Sequence, residues 1–180
     1  MDDSGTEQNR LEQQAQALET LMLNEVFHGL PKTPKRILDI GVGTGRSTIQ
    51  LAQTFPNAQT IGVDLSPVPA IHKQPSNAEF VQGDIRQLSK SGDKRFTTRS
   101  FDYVFSRVLS LGMPDWEGYF QDVHSMLARE GRFEVQEFEI GHHDADGVEI
   151  SETIPAVQVF YDLTGTSAGL LNCVGHQVAM

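Results

Sequence analysis

The sequence predicts an α/β protein built on a parallel sheet of about five strands with helices on both faces. Three observations carry this. From Pro34 onward, short apolar runs of strand length alternate with segments of helical periodicity. A glycine-rich turn, "GVGTG" at Gly41 to Gly45, follows directly on the first of those runs. Three acids, Asp39, Asp64 and Asp84, fall at or just past the ends of the first three runs, which is where open α/β sheets bind their ligands.

Taken in order, residues 4 to 30 carry a helical pattern. Ser4 and Glu7 stand at capping-box spacing, and Leu11, Ala15, Leu18, Met22 and Val26 recur every three or four residues until Gly29 and Pro31 stop the helix. That apolar face has to lie over a domain or against a second copy. Arg36 to Ile40 reads as the first strand. Ser47 to Phe55 reads as a helix with Ile49, Ala52 and Phe55 on one side and Pro56 as its stop. Thr60 to Asp64, Ala78 to Gln82 and Phe101 to Ser106 read as the next three strands, with a polar, weakly helical connection over Gly83 to Ser100. Pro114 and Asp115 open a helix whose inner face is Trp116, Phe120, Val123 and Leu127, and Arg132 to Ile140 reads as the fifth strand. A loop, "GHHDADG", and one more helix over Pro155 to Leu163 are expected after it. Such alternation implies right-handed crossovers and a sheet covered on both faces.

Composition narrows the class. A chain of 180 residues with 38% apolar and 21% charged residues suits one soluble domain with its own core. Acids outnumber bases 24 to 14, which argues against a nucleic-acid surface, since phosphate contacts need clustered cations. The cluster Lys90, Lys94, Arg95 and Arg99 is broken by Asp93 and reads as a solvated loop. Cys173 is alone, so an internal disulfide and a paired-cysteine zinc site are excluded and a reducing compartment is expected. The acidic start, Met1-Asp-Asp-Ser, is unlike a signal peptide, and no apolar run approaches the ~20 residues of a membrane span. An intracellular protein with no membrane association is expected.

The glycine turn decides what such a sheet would bind. A dinucleotide site needs G-x-G-x-x-G, but Arg46 stands where the third glycine belongs. A G-x-x-x-x-G-K-S/T phosphate loop fails because no lysine follows Gly45. What remains is D-x-G-x-G-x-G, with Asp39 beside the loop. A carboxylate there repels pyrophosphate and attracts an ammonium group, and bare glycines let a ligand lie against the backbone. S-adenosylmethionine has these properties: an amino-acid head, a cationic sulfonium and no phosphate. Asp64, ending the second strand, is placed to accept from ribose hydroxyls. Asp84 is placed to accept from an adenine amine, with the Ile85 backbone beside it. The glycines alone also allow a plain strand-to-helix turn; the acids at three successive strand ends favour the ligand.

The stretches "NRLEQQ" at Asn9 to Gln14, "ILDIGVGTG" at Ile37 to Gly45, "FPNAQTIGVDLSP" at Phe55 to Pro67, "FDYVFSR" at Phe101 to Arg107 and "DWEGYFQDVHSML" at Asp115 to Leu127 carry a resemblance. The chain resembles class I S-adenosylmethionine-dependent methyltransferases, and more narrowly the fungal LaeA-like group related to the global regulator of secondary metabolism. The resemblance implies a Rossmann-like parallel sheet, with residues 1–31 as an N-terminal helical extension covering the cofactor and residues 32–180 as the methyltransferase-like domain. It implies that Asp39, Gly41, Gly43 and Gly45 cradle the methionyl part, that Asp64 and Leu65 hold the ribose and adenine, and that Asp84 and Ile85 meet the adenine edge. Ser106 and Arg107 would line the floor beneath the sulfonium. Two departures stand out. Arg129-Glu-Gly-Arg132 replaces the usual Pro-Gly-Gly turn, and residues 141 to 180 are too few to supply both the usual helices and the two further strands of the class. A C-terminally shortened domain is therefore expected, with the fifth strand as an exposed edge: a truncated product, a fragment, or a protein completed by a homo- or hetero-oligomeric partner that covers that edge.

The implied function is methyl transfer from S-adenosylmethionine to a small molecule, in fungal secondary metabolism, in the cytoplasm or, by analogy with the group, the nucleus. The alternative is a methyltransferase-like protein with a regulatory, partner-binding or non-methylating role. In-line displacement at a sulfonium needs alignment and exclusion of water rather than a metal, and a neutral hydroxyl acceptor would also need a base. His142 and His143, just past the fifth strand, and Glu137 and Glu139 within it, are the base candidates. No metal is expected, since adjacent histidines point apart. Trp116 reads as a core anchor, His124 as solvated, and His28, His72 and His176 as lacking partners that suggest chemistry.

Overall fold

Arg36–Ile40 (β1), Gln59–Asp64 (β2), Ala78–Gln82 (β3), Phe101–Arg107 (β4) and Leu127–Gln136 (β5) form one sheet in the order β3-β2-β1-β4-β5, with every neighbouring pair parallel. The structure is a computed structural model; it describes residues 4–23, 25–137 and 146, which divide between a unit ending at Gln136 and a second beginning at Glu137. The helices of the first unit are Ser4–Leu21 (α1), Arg46–Thr54 (α2), Ile85–Leu88 (α3) and Trp116–Met126 (α4), with short 3-10 turns at Lys94–Phe96 and Ser110–Gly112. This is the Rossmann-like arrangement that the strand and helix alternation predicts. Among the described residues no helix is long and apolar enough to cross a membrane.

Alternation along the strands sorts the core into two faces. Leu38, Ile40, Ile61, Val63 and Val104 face one way and pack with Ile85 of α3 and with Tyr119, Val123 and Met126 of α4. Ile37, Tyr103 and Phe105 face the other way, against Leu51 of α2 and against Phe27 and Leu30. Trp116 packs partly buried on the first face and meets Tyr119 edge-on with ring centroids 5.6 Å apart, in agreement with its reading as an anchor. Asp115 caps α4 by accepting from the Gly118 amide at 2.9 Å.

Three expectations need correction. The first helix ends at Leu21 rather than near residue 30, and Leu23 adopts a left-handed φ of 52°. Beyond it, β5 offers the backbone other partners: the Glu134 carboxylate accepts from the amides of His28 and Gly29, and Gln136 donates to the Val26 carbonyl at 2.7 Å. Leaving the helix lets Phe27 pack edge-on against Phe105 at 4.9 Å, burial that a continued helix would forfeit. Second, the buried face of α4 is Tyr119, Val123 and Met126, while Phe120 is 39% exposed, because the helix is rotated by about one position from the simplest apolar stripe. Third, β5 spans Leu127–Gln136 rather than 132–140. Leu127 pairs with Phe101 and Arg132 with Tyr103, so the residues between them bulge from the ladder. The connection from Gly83 to Ser100, expected as polar and weakly helical, carries the four-residue α3 and a 3-10 turn. The helix expected over 155–163 lies outside the described residues.

Gly131 is the pivot of the β5 bulge, since a Cβ there would come 2.6 Å from the Phe101 carbonyl oxygen, a backbone atom that cannot swing away. Gly131→Ala is therefore expected to lower unfolding free energy by about 1 to 3 kcal/mol. Gly112→Ala, with nothing within 4 Å of the added carbon, should change it by less than ~0.5 kcal/mol. Urea denaturation of the two variants beside the parent checks both.

Candidate cofactor site

The strand order reverses between β1 and β4, which both leave the sheet at the same edge: Ile40 is opposite Ser106. A crevice at such a reversal is where open parallel sheets receive ligands. The turn that rims it, Gly41 to Gly45, is tied down at both ends. The Gly41 amide donates to the Val63 carbonyl at 2.8 Å, and the Gly45 amide to Val42 at 2.8 Å. Gly45 caps α2 with φ 82°, and a Cβ on it would stand 2.7 Å from the Phe80 ring. Gly45 thus provides the close helix-to-sheet packing that a dinucleotide fold assigns to a glycine one residue later.

Asp39 lies beneath the loop, 1% exposed, with Oδ2 accepting from the hydroxyls of Ser47 (2.7 Å) and Thr48 (2.6 Å) at the start of α2. Burial pushes its carboxyl up to about 6, against the pull of those two hydroxyls and of Arg107. Its carboxylate fixes the loop from below. Asp64 stands at the mouth. Its Oδ2 accepts from the Gly43 amide at 2.8 Å and its Oδ1 from the Ser66 amide at 2.9 Å. A carboxylate oxygen can accept two bonds, so each keeps capacity for a hydroxyl. Leu65 beside it is 65% exposed, an apolar surface presented at a strand end.

Asp84 and Ile85 follow β3. Asp84 caps α3 and binds Arg86 at three nitrogens, the backbone amide at 2.9 Å, Nε at 3.1 Å and an Nη at 2.7 Å, which hold its carboxyl below the usual range. The Ile85 side chain is buried in the core, so only its backbone is on offer. Ser106 is fully buried and its Oγ has no hydrogen-bond partner among the described residues; an Nη of Arg107 is buried and likewise unpartnered among them. Glu137 lies just beyond β5 rather than within it, and Glu139, His142 and His143 lie outside the described residues.

The residues that the sequence reading missed are on α1. Glu12 accepts from the Thr44 hydroxyl (2.9 Å) and from Arg46 (2.7 Å), and Glu19 takes Arg46 through two nitrogens at 2.7 and 2.8 Å and Gln50 at 2.8 Å. His72, read as without company, has Nε2 3.1 Å from Glu12. The Arg46 bonds outweigh burial and hold the Glu19 carboxyl low. At Glu12, burial works upward, but Thr44, His72 and Arg46 together prevail and lower it. Leu11 reaches 3.7 Å from the position of a Cβ on Gly43, so α1 lies across the loop. The overlooked signal was two acids seven residues apart, two helical turns, inside the apolar stripe of Leu11, Ala15 and Leu18.

Comparison with known proteins gives a consistent picture. The family described as methyltransferase domain matches residues 37–131. The chain is 32% identical over 124 residues to the secondary metabolism regulator laeA of Coprinopsis cinerea, covering 69% of this chain and 30% of that protein. It is 32% identical over 135 residues to the methyltransferase pytC of Aspergillus terreus, covering 73% of this chain and 39% of the relative. The matches thus span about a third of these curated relatives. Among solved structures, phosphoethanolamine N-methyltransferase 2 of Haemonchus contortus in complex with S-adenosyl-L-methionine superposes with a TM-score of 0.58 at 25% identity, over 82% of this chain and 32% of that one.

Two outcomes follow from the geometry. The raised carboxyl of Asp39 favours the folded state below about pH 4, and that contribution is lost as pH rises through about 6. Asp39→Asn, which keeps an acceptor for Ser47 and Thr48, should therefore gain on the parent by ~1 kcal/mol or more in unfolding free energy between about pH 5 and about pH 7.5. Denaturation at the two pH values measures the gap. Arg46→Ala should leave the sheet intact but speed amide exchange in α1 by roughly tenfold to a hundredfold, as hydrogen-exchange mass spectrometry would read.

Proposed function

Since the chain belongs to the methyltransferase-domain family, we propose that it binds S-adenosylmethionine at the β1–β4 crevice and transfers its methyl group to a small molecule of fungal secondary metabolism. One observation carries the cofactor reading: Asp64 holds the amide of Gly43 in the glycine turn while both its oxygens keep accepting capacity. The residues suit the ligand in three further respects. The turn has positive φ at all three glycines, and at Gly43 the nearest atom to an added Cβ is 3.7 Å away on Leu11, so ligand atoms can approach bare backbone there. Leu65 presents an apolar face suited to a purine, and the site's carboxylates, Asp39 and Asp64, oppose a pyrophosphate.

When bound, the cofactor supplies a methyl group made electrophilic by its sulfonium. The protein's part is alignment and exclusion of water. Asp64 with Leu65 would orient the nucleoside end, the Gly41–Gly45 backbone the amino-acid end, and α1, drawn down by Arg46, would close the site from solvent. The secondary-metabolite assignment draws on the names of laeA and pytC. The laeA name, a regulator, also supports the second reading, a methyltransferase-like protein with a regulatory, partner-binding or non-methylating role.

Calorimetric titration with S-adenosylmethionine and S-adenosylhomocysteine tests the proposal. Binding is expected, with Asp64→Asn weakening it tenfold or more through loss of charge-assisted bonds. No binding of either compound by the folded parent would overturn it. Methyl transfer to extracted fungal metabolites, traced with labelled donor, separates the two readings.

A further inference from the structure

We propose that Arg107 is the residue that reads the α-carboxylate of the cofactor's amino-acid head. The inference rests on the binding reading above and assigns a chemical group to a side chain that the resemblance places only beneath the sulfonium.

Arg107 ends β4, one residue beyond the Ile40–Ser106 pair, which sets it beside Gly41 at the root of the glycine turn. Its side chain shares the sheet face of Tyr103 and Phe105, and its guanidinium lies 5.9 Å from the Phe105 ring centre. Asp39, on the neighbouring strand, is on that face too. Burial works against the charge of Arg107 and, with Arg46 nearby, prevails over the attraction of Asp39 and Glu19. Arg107 makes no ion pair with a described residue, and one Nη is buried with no acceptor among them. A buried, unsatisfied guanidinium nitrogen is costly unless an anion completes it.

The backbone gives a second, independent reason. Val108, immediately after Arg107, has φ 56°, a conformation that β-branched residues rarely adopt. The turn is held by the Val108 amide donating to the Gln136 carbonyl at 2.8 Å. Such strain persists where surroundings over-determine it, and it gathers at ligand sites. Here it turns the chain away directly after Arg107 and brings Leu109 against Gly41.

Of the charged groups on S-adenosylmethionine, the sulfonium and the ammonium repel a guanidinium, and only the α-carboxylate attracts it. A planar fork of donors matches that carboxylate. Asp39 and Arg107 then give the glycine turn one charge of each sign for a zwitterionic head.

Calorimetry with three ligands tests this: S-adenosylhomocysteine, its decarboxylated analogue S-adenosyl-3-thiopropylamine, and 5′-methylthioadenosine, which lacks the head. The parent is expected to bind S-adenosylhomocysteine tenfold to a hundredfold more tightly than the decarboxylated analogue. Arg107→Met should lose most of that preference while its affinity for 5′-methylthioadenosine stays within about threefold, and Arg107→Lys should recover part of it. Equal binding of the first two ligands by the parent overturns the assignment even if the variants fold poorly. So does an Arg107→Met change that weakens all three ligands alike, the mark of a structural role. Failure of the parent to bind any of the three overturns the cofactor reading itself.

Discussion

The carboxyl edge of this sheet depends on α2 beginning hard against β2 and β3. Two glycines permit it. A side chain at Gly45 would collide with Phe80, and one at Gly62 would stand 2.6 Å from the Thr48 hydroxyl and 2.9 Å from the Phe80 ring. Because the helix sits this low, the hydroxyls of Ser47 and Thr48 come down onto Asp39, and the turn above them presents the Gly43 amide to Asp64. Loosening that contact would displace both carboxylates relative to the loop at once. The interaction therefore belongs to packing first and to binding second.

Charge is arranged around that contact in layers. Asp39 is buried but tolerable, since two hydroxyls donate to it and its own carboxyl rises toward neutrality. Arg46 follows the turn directly, where a free cation would oppose a sulfonium. Glu12 and Glu19 take it instead, leaving its charge largely compensated at the loop. Arg107, at the same crevice, has no such pair among the described residues. A chain with net charge −10 thus keeps opposite charges at short range inside the crevice.

Much of this was legible in the sequence, and the reasons differ by element. β1 to β4 were read to within a residue because buried parallel strands are continuous apolar runs bounded by turn residues. The glycine turn and the acids at strand ends were visible because their spacing is fixed by the fold. The end of α1 was not legible. Met22 and Val26 continue the helical period, and only the side chains of Glu134 and Gln136, more than a hundred residues away, offer the backbone a better alternative. The same holds for Asp84. As a strand-end acid it reads as a ligand group, and its bonds to Arg86, two residues on, are a local feature that the strand pattern does not show. Arg46 was seen as a missing glycine, whereas its role depends on α1, a segment remote in sequence.

The nature of the α1 contact bears on how a ligand could enter. A helix seated by a broad apolar face would be bound as firmly as the core, at ~1.5 to 3 kcal/mol per buried side chain. The inner face of α1 is instead half-buried Leu11, Ala15 and Leu18 interleaved with Glu12 and Glu19. The ion pairs to Arg46 retain 11 to 29% side-chain exposure, so water is at hand to replace each partner when the helix lifts. Opening α1 then exposes little apolar surface and rehydrates groups that water solvates well. The sheet, whose central strands are buried along most of their length, keeps its stability throughout. Access to the crevice and integrity of the fold thus rest on different interactions, which lets a helix cover the glycine turn without locking it.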